Sequence, residues 1–187
     1  MKKELLSSLL LTLVCIIFFC VVYTGIVYII ALIGPNKGEG EKIATKNGKY
    51  YYANLAQSFS ADKYFWSRPS AVGYNAAGSG GSNKGPNNPD YLADVQKRID
   101  SFMAHNPDVK KSDVPSDLIT ASGSGLDPDI SIQGAIVQIP RIAKIRGLSQ
   151  EAVKELVSKH IDKPLLGFLG PEKVNVLKLN IDLDNLK

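Results

Sequence analysis

The residue types that most often carry chemistry are sparse in this sequence. It contains two histidines, His105 and His160, which are far apart and have no cysteine nearby, so no metal-ligand spacing occurs. Both fall near the ends of predicted helices, where a solvated imidazole is common. Several serines lie in glycine-rich loops, but none occupies the Gly-x-Ser-x-Gly turn of a hydrolase nucleophile. The fold could still bring a serine and a histidine together, but no feature of the sequence identifies such a pair. We therefore predict no catalytic residue and no metal site.

A glycine-rich run, Gly78–Gly85, has the composition of a phosphate-binding loop. A P-loop requires Gly-Lys followed by Ser or Thr, whose hydroxyl contacts Mg²⁺. Here Asn83 precedes Lys84 and Gly85 follows it, and no clear strand leads into the run. We therefore interpret the run as a tight surface or interface loop.

An acidic segment, residues 112–130, carries four aspartates and no lysine or arginine. Its carboxylates could raise the local concentration of cations. They could equally cap turns and helices, as the order Asp-Pro-Asp near the end of the segment indicates, and we favour this second interpretation. The aspartates are Asp113, Asp117, Asp127 and Asp129.

The N-terminal part of the chain is a long apolar segment. Residues 5–33 are 29 residues without charge, of which 24 are hydrophobic. The part from Leu9 to Ile33 is long enough to cross a bilayer as a helix. A cleaved signal peptide would have a shorter apolar region ending at small residues, which Ala31-Leu32-Ile33 does not provide. We predict an uncleaved anchor within residues 1–34, followed by a single domain of residues 35–187.

The charges around this segment do not fix its orientation. Two lysines precede it and four follow closely, which would place the domain in the cytoplasm, but long domains translocate largely regardless of charge. The 154 residues from Gly34 onwards contain no cysteine, which is compatible with an oxidising exterior. We favour a cytoplasmic N-terminus. The lysines are Lys2 and Lys3 before the segment, and Lys37, Lys42, Lys46 and Lys49 after it.

Charge and hydropathy exclude two broad classes of function. The net charge of +4 is small and scattered, so we expect no nucleic-acid partner. No second long apolar run exists, which excludes a multi-span transporter.

The remaining pattern predicts an α+β domain. Asn47-Gly48 predicts a hairpin turn between two short strands, and Phe65-Trp66 reads as a short strand. Helices are predicted from Asn88 to His105, over 132–145 with a kink at Pro140, and after Ser149, which can cap the third.

The C-terminal segment closes this predicted domain. Leu177, Leu179, Ile181 and Leu183 alternate with other residues, which is typical of a half-buried strand over 174–183. Strands at both ends with helices between them give an α+β domain closed by its C-terminal strand.

Five stretches along the domain form a pattern known from one protein family. They are Tyr64–Ala71, Ser79–Asn83, Val114–Pro128, Gln138–Ala143 and Val174–Asn180. Together, in this order and behind a single anchor, they resemble the C subunit of the bacterial Kdp potassium-transporting P-type ATPase. The resemblance covers nearly the whole chain.

The resemblance implies a non-catalytic accessory subunit of an ATP-driven, high-affinity potassium uptake pump. It implies a single-pass protein of the cell (inner) membrane, with a cytoplasmic N-terminus and an extracytoplasmic domain. The implied partners are the hydrolysing P-type subunit and the channel-like potassium-translocating subunit. The family is described as a catalytic chaperone that raises the ATP affinity of the hydrolysing subunit. Gln57 matches a family glutamine implicated in nucleotide binding. The resemblance implies no tightly bound cofactor, and ATP would be bound only through the hydrolysing subunit.

Topology leaves an alternative open. A domain beyond about 30 Å of hydrocarbon cannot touch cytosolic ATP, so an effect on ATP affinity would be allosteric, carried by the anchor and partner subunits. The alternative is a purely structural assembly subunit on the outer face of the channel-like subunit, with the acidic segment concentrating potassium at its entrance. Under both interpretations the glycine-rich loops contact partners. The candidate contact residues are Arg68, Pro69, Ser79, Gly80, Gly81, Ser82, Asn83, Ser122, Gly123, Ser124, Gly125 and Asp127.

Overall fold

A computed structural model describes residues 2–45 and 48–186. The chain divides into two compact units, Met1–Lys42 and Ile43–Lys187. Each unit is described by itself.

The N-terminal unit is dominated by one long apolar helix. It consists of α1 (Lys2–Ile16), a π-helical stretch (Ile17–Tyr23) and α2 (Thr24–Ile33). The 31-residue stretch Lys3–Ile33 is long enough, and apolar enough on average, to cross a membrane. At 1.5 Å per residue it reaches about 46 Å, more than the thickness of a hydrocarbon core. The predicted apolar helix is thus confirmed, and it is consistent with a single-pass membrane protein.

Two short paired strands, β1 (Lys42–Ala44) and β2 (Tyr50–Tyr52), follow from the boundary residue Lys42 onwards. The strands on either side of the predicted hairpin turn are present. Asn47, the first residue of that turn, lies outside the described residues. Gly48 has φ 73° and donates its N–H to the Thr45 carbonyl at 2.9 Å, which is turn geometry that favours glycine.

Helix α3 (Pro89–His105) begins and ends where the sequence predicts. The Asn88 side chain accepts a hydrogen bond from the Tyr91 N–H at 3.1 Å and so caps the first turn. Pro89 occupies the first helical turn, where its missing N–H costs nothing. The helix buries Phe102 against the core.

The rest of the domain alternates short strands and helices. In chain order these are β3 (Asp129–Ile130), α4 (Ile132–Ile136), α5 (Ile139–Arg146), α6 (Gln150–Lys159), β4 (Ile161–Asp162), β5 (Lys173–Asn175) and α7 (Val176–Leu183). Pro140 lies in the first turn of α5, so it separates two helices where we predicted one kinked helix. Gly147, with φ 67°, ends α5, and the Ser149 side chain caps α6, both as predicted.

A three-stranded antiparallel sheet in the order β3-β5-β4 carries the core. Val174 on the central strand pairs with Ile130 on one side and Ile161 on the other. Helices α4 to α7 pack around this sheet through fully buried side chains such as Ile142, Val153 and Leu179. The predicted α+β class is confirmed.

The strand predicted over residues 174–183 is wrong beyond Asn175. Residues Val176–Leu183 form α7, and the Asn175 side chain caps this helix by accepting from the Lys178 N–H at 3.0 Å. The apolar residues satisfy both periods, because Val176, Leu179 and Leu183 also follow the 3–4-residue spacing of a helix. These three are buried, whereas Ile181, which the strand pattern needs on the same face, is only half-buried.

Phe65-Trp66 belongs to no strand. Its backbone pairs with side-chain amides instead of a neighbouring strand. The Phe65 N–H donates to Asn180 Oδ1 and the Phe65 carbonyl accepts from Asn180 Nδ2, both at 2.9 Å. The Trp66 N–H donates to Gln138 Oε1 at 2.8 Å. The predicted strand is therefore replaced by backbone that buried amides satisfy.

Candidate functional site

Three irregular segments meet at the surface and form what we call the loop cluster: residues 68–70, 79–83 and 122–127. The Gly80 N–H and the Ser79 hydroxyl both donate to the Ser124 carbonyl, at 2.8 and 3.0 Å. The Ser122 N–H donates to the Pro69 carbonyl at 3.0 Å. The structure thus brings the candidate contact residues of three separate motifs side by side.

Two glycines allow this close approach of backbone to backbone. A Cβ on Gly81 would lie 2.9 Å from the Gly123 carbonyl oxygen. A Cβ on Gly125 would lie 2.5 Å from Val72 Cγ2 and 2.8 Å from the Gly80 carbonyl oxygen, and Gly125 has φ 68°. Any larger residue at either position would push the segments apart.

An ion pair joins two of the segments. Arg68 Nη1 donates to Asp127 Oδ2 at 2.8 Å, and Asp127 Oδ1 accepts from the Asp129 N–H at 3.1 Å. The Tyr74 hydroxyl donates to the Arg68 carbonyl at 2.8 Å, and burial raises the pKa of this phenol. These contacts fix residue 68 from both its side chain and its backbone.

The loop cluster has an exposed part and a supporting part. Ser79, Ser82, Asn83, Gly123 and Ser124 are exposed. By contrast, Ser122 and Gly125 are buried, so these two predicted contact residues support the surface from below.

Gln57 lies in a groove of about 490 Å³ on the same domain. The groove is lined by residues from the segment before β2, from the stretch around Gln57, and from α7 and the residues after it. Its volume lies within the range of small-molecule sites. The Gln57 side chain is half-buried, and its Nε2 donates to the Leu55 carbonyl at 3.3 Å.

Among the described residues, two charged groups line the groove, Lys49 and Asp184. Asp184 accepts from the Tyr64 hydroxyl at 3.0 Å and from Arg146 Nη2 at 2.6 Å, so its charge is already balanced. Burial, and then the hydrogen bond to Asp184, raises the pKa of the Tyr64 phenol. The described lining therefore offers one lysine to a phosphate, which is not a phosphate cradle.

Two hydrogen bonds connect this groove to the loop cluster and to the residue just before it. The Ala56 N–H donates to the Leu126 carbonyl at 3.0 Å, and the Ser67 hydroxyl donates to the Gln57 carbonyl at 2.8 Å. The residue before Gln57 is thus held by the loop cluster itself, and the Gln57 carbonyl is held by Ser67, which directly precedes the cluster residue Arg68.

Sequence reasoning missed a buried polar network around Arg141. Arg141, 6% exposed, donates from Nε to Asn106 Oδ1 at 2.9 Å and from Nη2 to Gln138 Oε1 at 2.7 Å. Its Nη1 also bonds the Asp62 carbonyl, and its guanidinium lies 4.7 Å from the Trp66 ring centre. Burial lowers the pKa of Arg141 to about 10, so it stays charged at neutral pH. The signal in the sequence was the presence of polar residues, Gln138 and Arg141, within the apolar helical stretch predicted over residues 132–145.

Other candidate groups turn out to serve the fold. Lys84 pairs with Asp94 at 3.3 Å, away from any phosphate-cradle geometry. His105 and His160 lie at helix ends, as predicted, and each contacts one aspartate. Among the described residues, no group of three or more His, Cys, Asp or Glu could hold a metal ion.

The carboxylates of the acidic segment are largely used within the domain. Asp117 accepts from the N–H of Ser131 at 2.7 Å and from its hydroxyl at 3.1 Å. Asp127 pairs with Arg68, and Asp129 pairs with Lys173. The bonds of Asp117 to Ser131 agree with the capping interpretation, whereas Asp127 and Asp129 form ion pairs, so these three carboxylates have little negative charge left for cations.

Comparison with known proteins gives consistent matches over the full chain. The family model described as "KdpC: K+-transporting ATPase, c chain" matches residues 5–185. A protein of Flavobacterium johnsoniae named "Potassium-transporting ATPase KdpC subunit" is 54% identical over 185 residues, covering 99% of this chain and 100% of the relative. Relatives of the same name from Flavobacterium psychrophilum and Geobacter sulfurreducens are 52% and 44% identical; they cover 99% and 100% of this chain, and 100% and 97% of their own.

Proposed function

The chain belongs to the KdpC family of K⁺-transporting ATPase subunits, and from this premise we propose that it is a non-catalytic accessory subunit of a potassium pump. We place its anchor within residues 1–34 in the cell membrane, with a cytoplasmic N-terminus and residues 35–187 outside. There it contacts the channel-like and hydrolysing subunits, supports assembly, and raises the ATP affinity of the hydrolysing subunit.

The loop cluster is the observation that carries this proposal. Its segments are joined backbone to backbone, and Gly81 and Gly125 leave no room for a side chain between them. A surface that is rigid before binding loses little conformational entropy when a partner docks. Exposed Ser79, Asn83 and Ser124 then offer polar groups to another subunit.

The effect on ATP affinity is proposed as a coupling and not as direct contact with ATP. A domain outside the membrane is separated from cytosolic ATP by about 30 Å of hydrocarbon. The Ala56 N–H bonds the Leu126 carbonyl of the loop cluster, and the Gln57 carbonyl accepts from Ser67, which directly precedes the cluster residue Arg68, so a partner bound at the cluster would bias the segment that carries Gln57. Such couplings typically change affinity by about 5–150-fold.

The substitution Gln57→Ala in the assembled pump tests this coupling. The side chain makes one long hydrogen bond, at 3.3 Å, so its removal leaves the fold intact. We expect the KM for ATP to rise about fivefold or more, the lower end of typical couplings, with the subunit still bound. Ser58→Ala, at the neighbouring exposed position in the same groove, is the matched control and should leave the KM for ATP unchanged.

A purely structural assembly role is the second candidate. It is favoured by the lining of the groove, where Lys49 is the one described cation and Asp184 is already paired. If Gln57→Ala leaves the ATP dependence of the pump unchanged, the coupling is refuted and the assembly role stands.

A further inference from the structure

A loop between β4 and β5 carries four large apolar side chains at the surface. Leu165, Leu166, Phe168 and Leu169 are 69%, 75%, 74% and 51% exposed. Single exposed apolar residues are normal, but four within five consecutive positions form a patch that marks an interaction site. We call residues 165–169 the apolar loop.

The backbone of the apolar loop satisfies much of its own hydrogen bonding. The N–H groups of Gly167 and Leu169 donate to the carbonyls of Pro164 and Leu165, at 2.9 and 3.0 Å, and the Phe168 N–H donates to Leu165 at 3.4 Å. Leu166 and Gly167 have φ 56° and 82°, so the chain reverses tightly. Backbone that enters hydrocarbon must have its polar groups paired internally, and this loop meets much of that requirement.

The size of the apolar loop favours a lipid bilayer over a protein partner as the surface that it contacts. The patch is narrow, because exposed Asp162 and Lys163 precede it and exposed Glu172 and Lys173 follow it. A stable protein interface buries about 800 Å² on each partner, from roughly 20–30 residues, which five residues do not provide. A bilayer surface needs only a few apolar side chains, with lysine ammonium groups left at the headgroups.

The connection to the apolar helix keeps the domain near a membrane. Nine residues, Gly34 to Lys42, join the end of that helix to the second unit. They span at most about 30 Å even when fully extended. We propose that the apolar loop inserts into the headgroup–acyl boundary of the lipid bilayer, as a second membrane contact of this chain. This inference rests on the proposed membrane anchorage and is independent of the effect on ATP affinity.

Fluorescence quenching by labelled lipid tests the insertion. The two cysteines, Cys15 and Cys20, are replaced by alanine, and Phe168→Cys is labelled with the polarity-sensitive fluorophore NBD. The full chain alone is reconstituted in phosphatidylcholine–phosphatidylglycerol vesicles containing nitroxide-labelled lipid. We expect a blue-shifted emission that the nitroxide quenches. Leu166→Cys, equally exposed, should give the same result, while Ala104→Cys, exposed on α3, is the control and should emit as in water.

Two outcomes would overturn the inference. Labels at residues 166 and 168 that behave like the label at residue 104 would exclude insertion. A blue shift that appears only after the other pump subunits are added would show that a protein covers the loop. Adding Leu165→Ser and Leu169→Ser to the Phe168→Cys chain should lower the quenching if the apolar side chains drive insertion. Neither overturning result bears on the Gln57 experiment.

Discussion

The segment Phe65–Ser67 and the loop cluster are both irregular backbone, yet they are held by opposite means. Phe65 lies in the core and is fixed by a single buried amide, Asn180, which both donates to it and accepts from it. The loop cluster lies at the surface and is fixed by peptide groups meeting across glycines. The first region depends on specific buried side chains, and the second depends mainly on glycines that let backbone meet backbone.

This difference separates residues that serve the fold from residues available to a partner. A buried peptide group without a strand neighbour must find another hydrogen-bond partner, so Asn180 and Gln138 have a structural task. The polar groups in the exposed part of the loop cluster do not need a hydrogen-bond partner within the protein, because they can bond water. Family motifs in this chain are thus of two kinds, and substitutions can tell them apart.

The largest expected effect is that of Asn180→Ala. It leaves the N–H and the carbonyl of Phe65 unpaired in the core, at about 1–3 kcal/mol for each group. We expect the free energy of unfolding to fall by about 3 kcal/mol, measured by denaturant titration of the detergent-solubilised chain through Trp66 fluorescence. Asn185→Ala, an exposed amide just after the same helix, should change it by less than about 0.5 kcal/mol. Equal effects of the two substitutions would show that Asn180 does not replace a strand.

A pair of glycine substitutions makes the same comparison within the loop cluster. Gly125→Ala places a Cβ 2.5 Å from Val72 Cγ2 at φ 68°, so we expect a loss of about 2 kcal/mol in unfolding free energy. In Gly123→Ala the added methyl has nothing within 4 Å, so stability should change little. If the cluster docks on another subunit, Gly123→Ala should nevertheless reduce co-purification of the chain with the pump. Full retention of Gly123→Ala in the complex would contradict docking at this surface.

The sequence correctly predicted the helices whose ends are marked by local capping or terminating residues. Asn88 and Ser149 cap helices as expected, and Gly147 ends one, because capping is a local interaction. The family resemblance drawn from the five stretches is also confirmed. What failed was the segment after Val174, where the same apolar residues fit two periods and tertiary packing chose the helix.

The sequence predicted which loops form the candidate site but not how these loops contact one another. Glycine-rich composition identified each loop, but the bond between Gly80 and Ser124 joins residues that the sequence cannot pair. The role of Asn180 was hidden for the same reason, since it depends on a contact with Phe65, 115 positions away. The apolar loop was missed because its residues look like core until the structure shows them exposed.

The smallest expected effect concerns the ion pair between Arg68 and Asp127. Their side chains are 25% and 31% exposed, so solvent screens the pair. In a double-mutant cycle with Arg68→Met and Asp127→Asn, we expect a coupling of about 1 kcal/mol that shrinks as salt is added. Asparagine keeps the Oδ1 that accepts from the Asp129 N–H, so the cycle isolates the charge. A coupling as large as the loss expected for Asn180→Ala, unaffected by salt, would mean that the cluster is held like the core by a specific side chain, and the contrast between the two regions would fail.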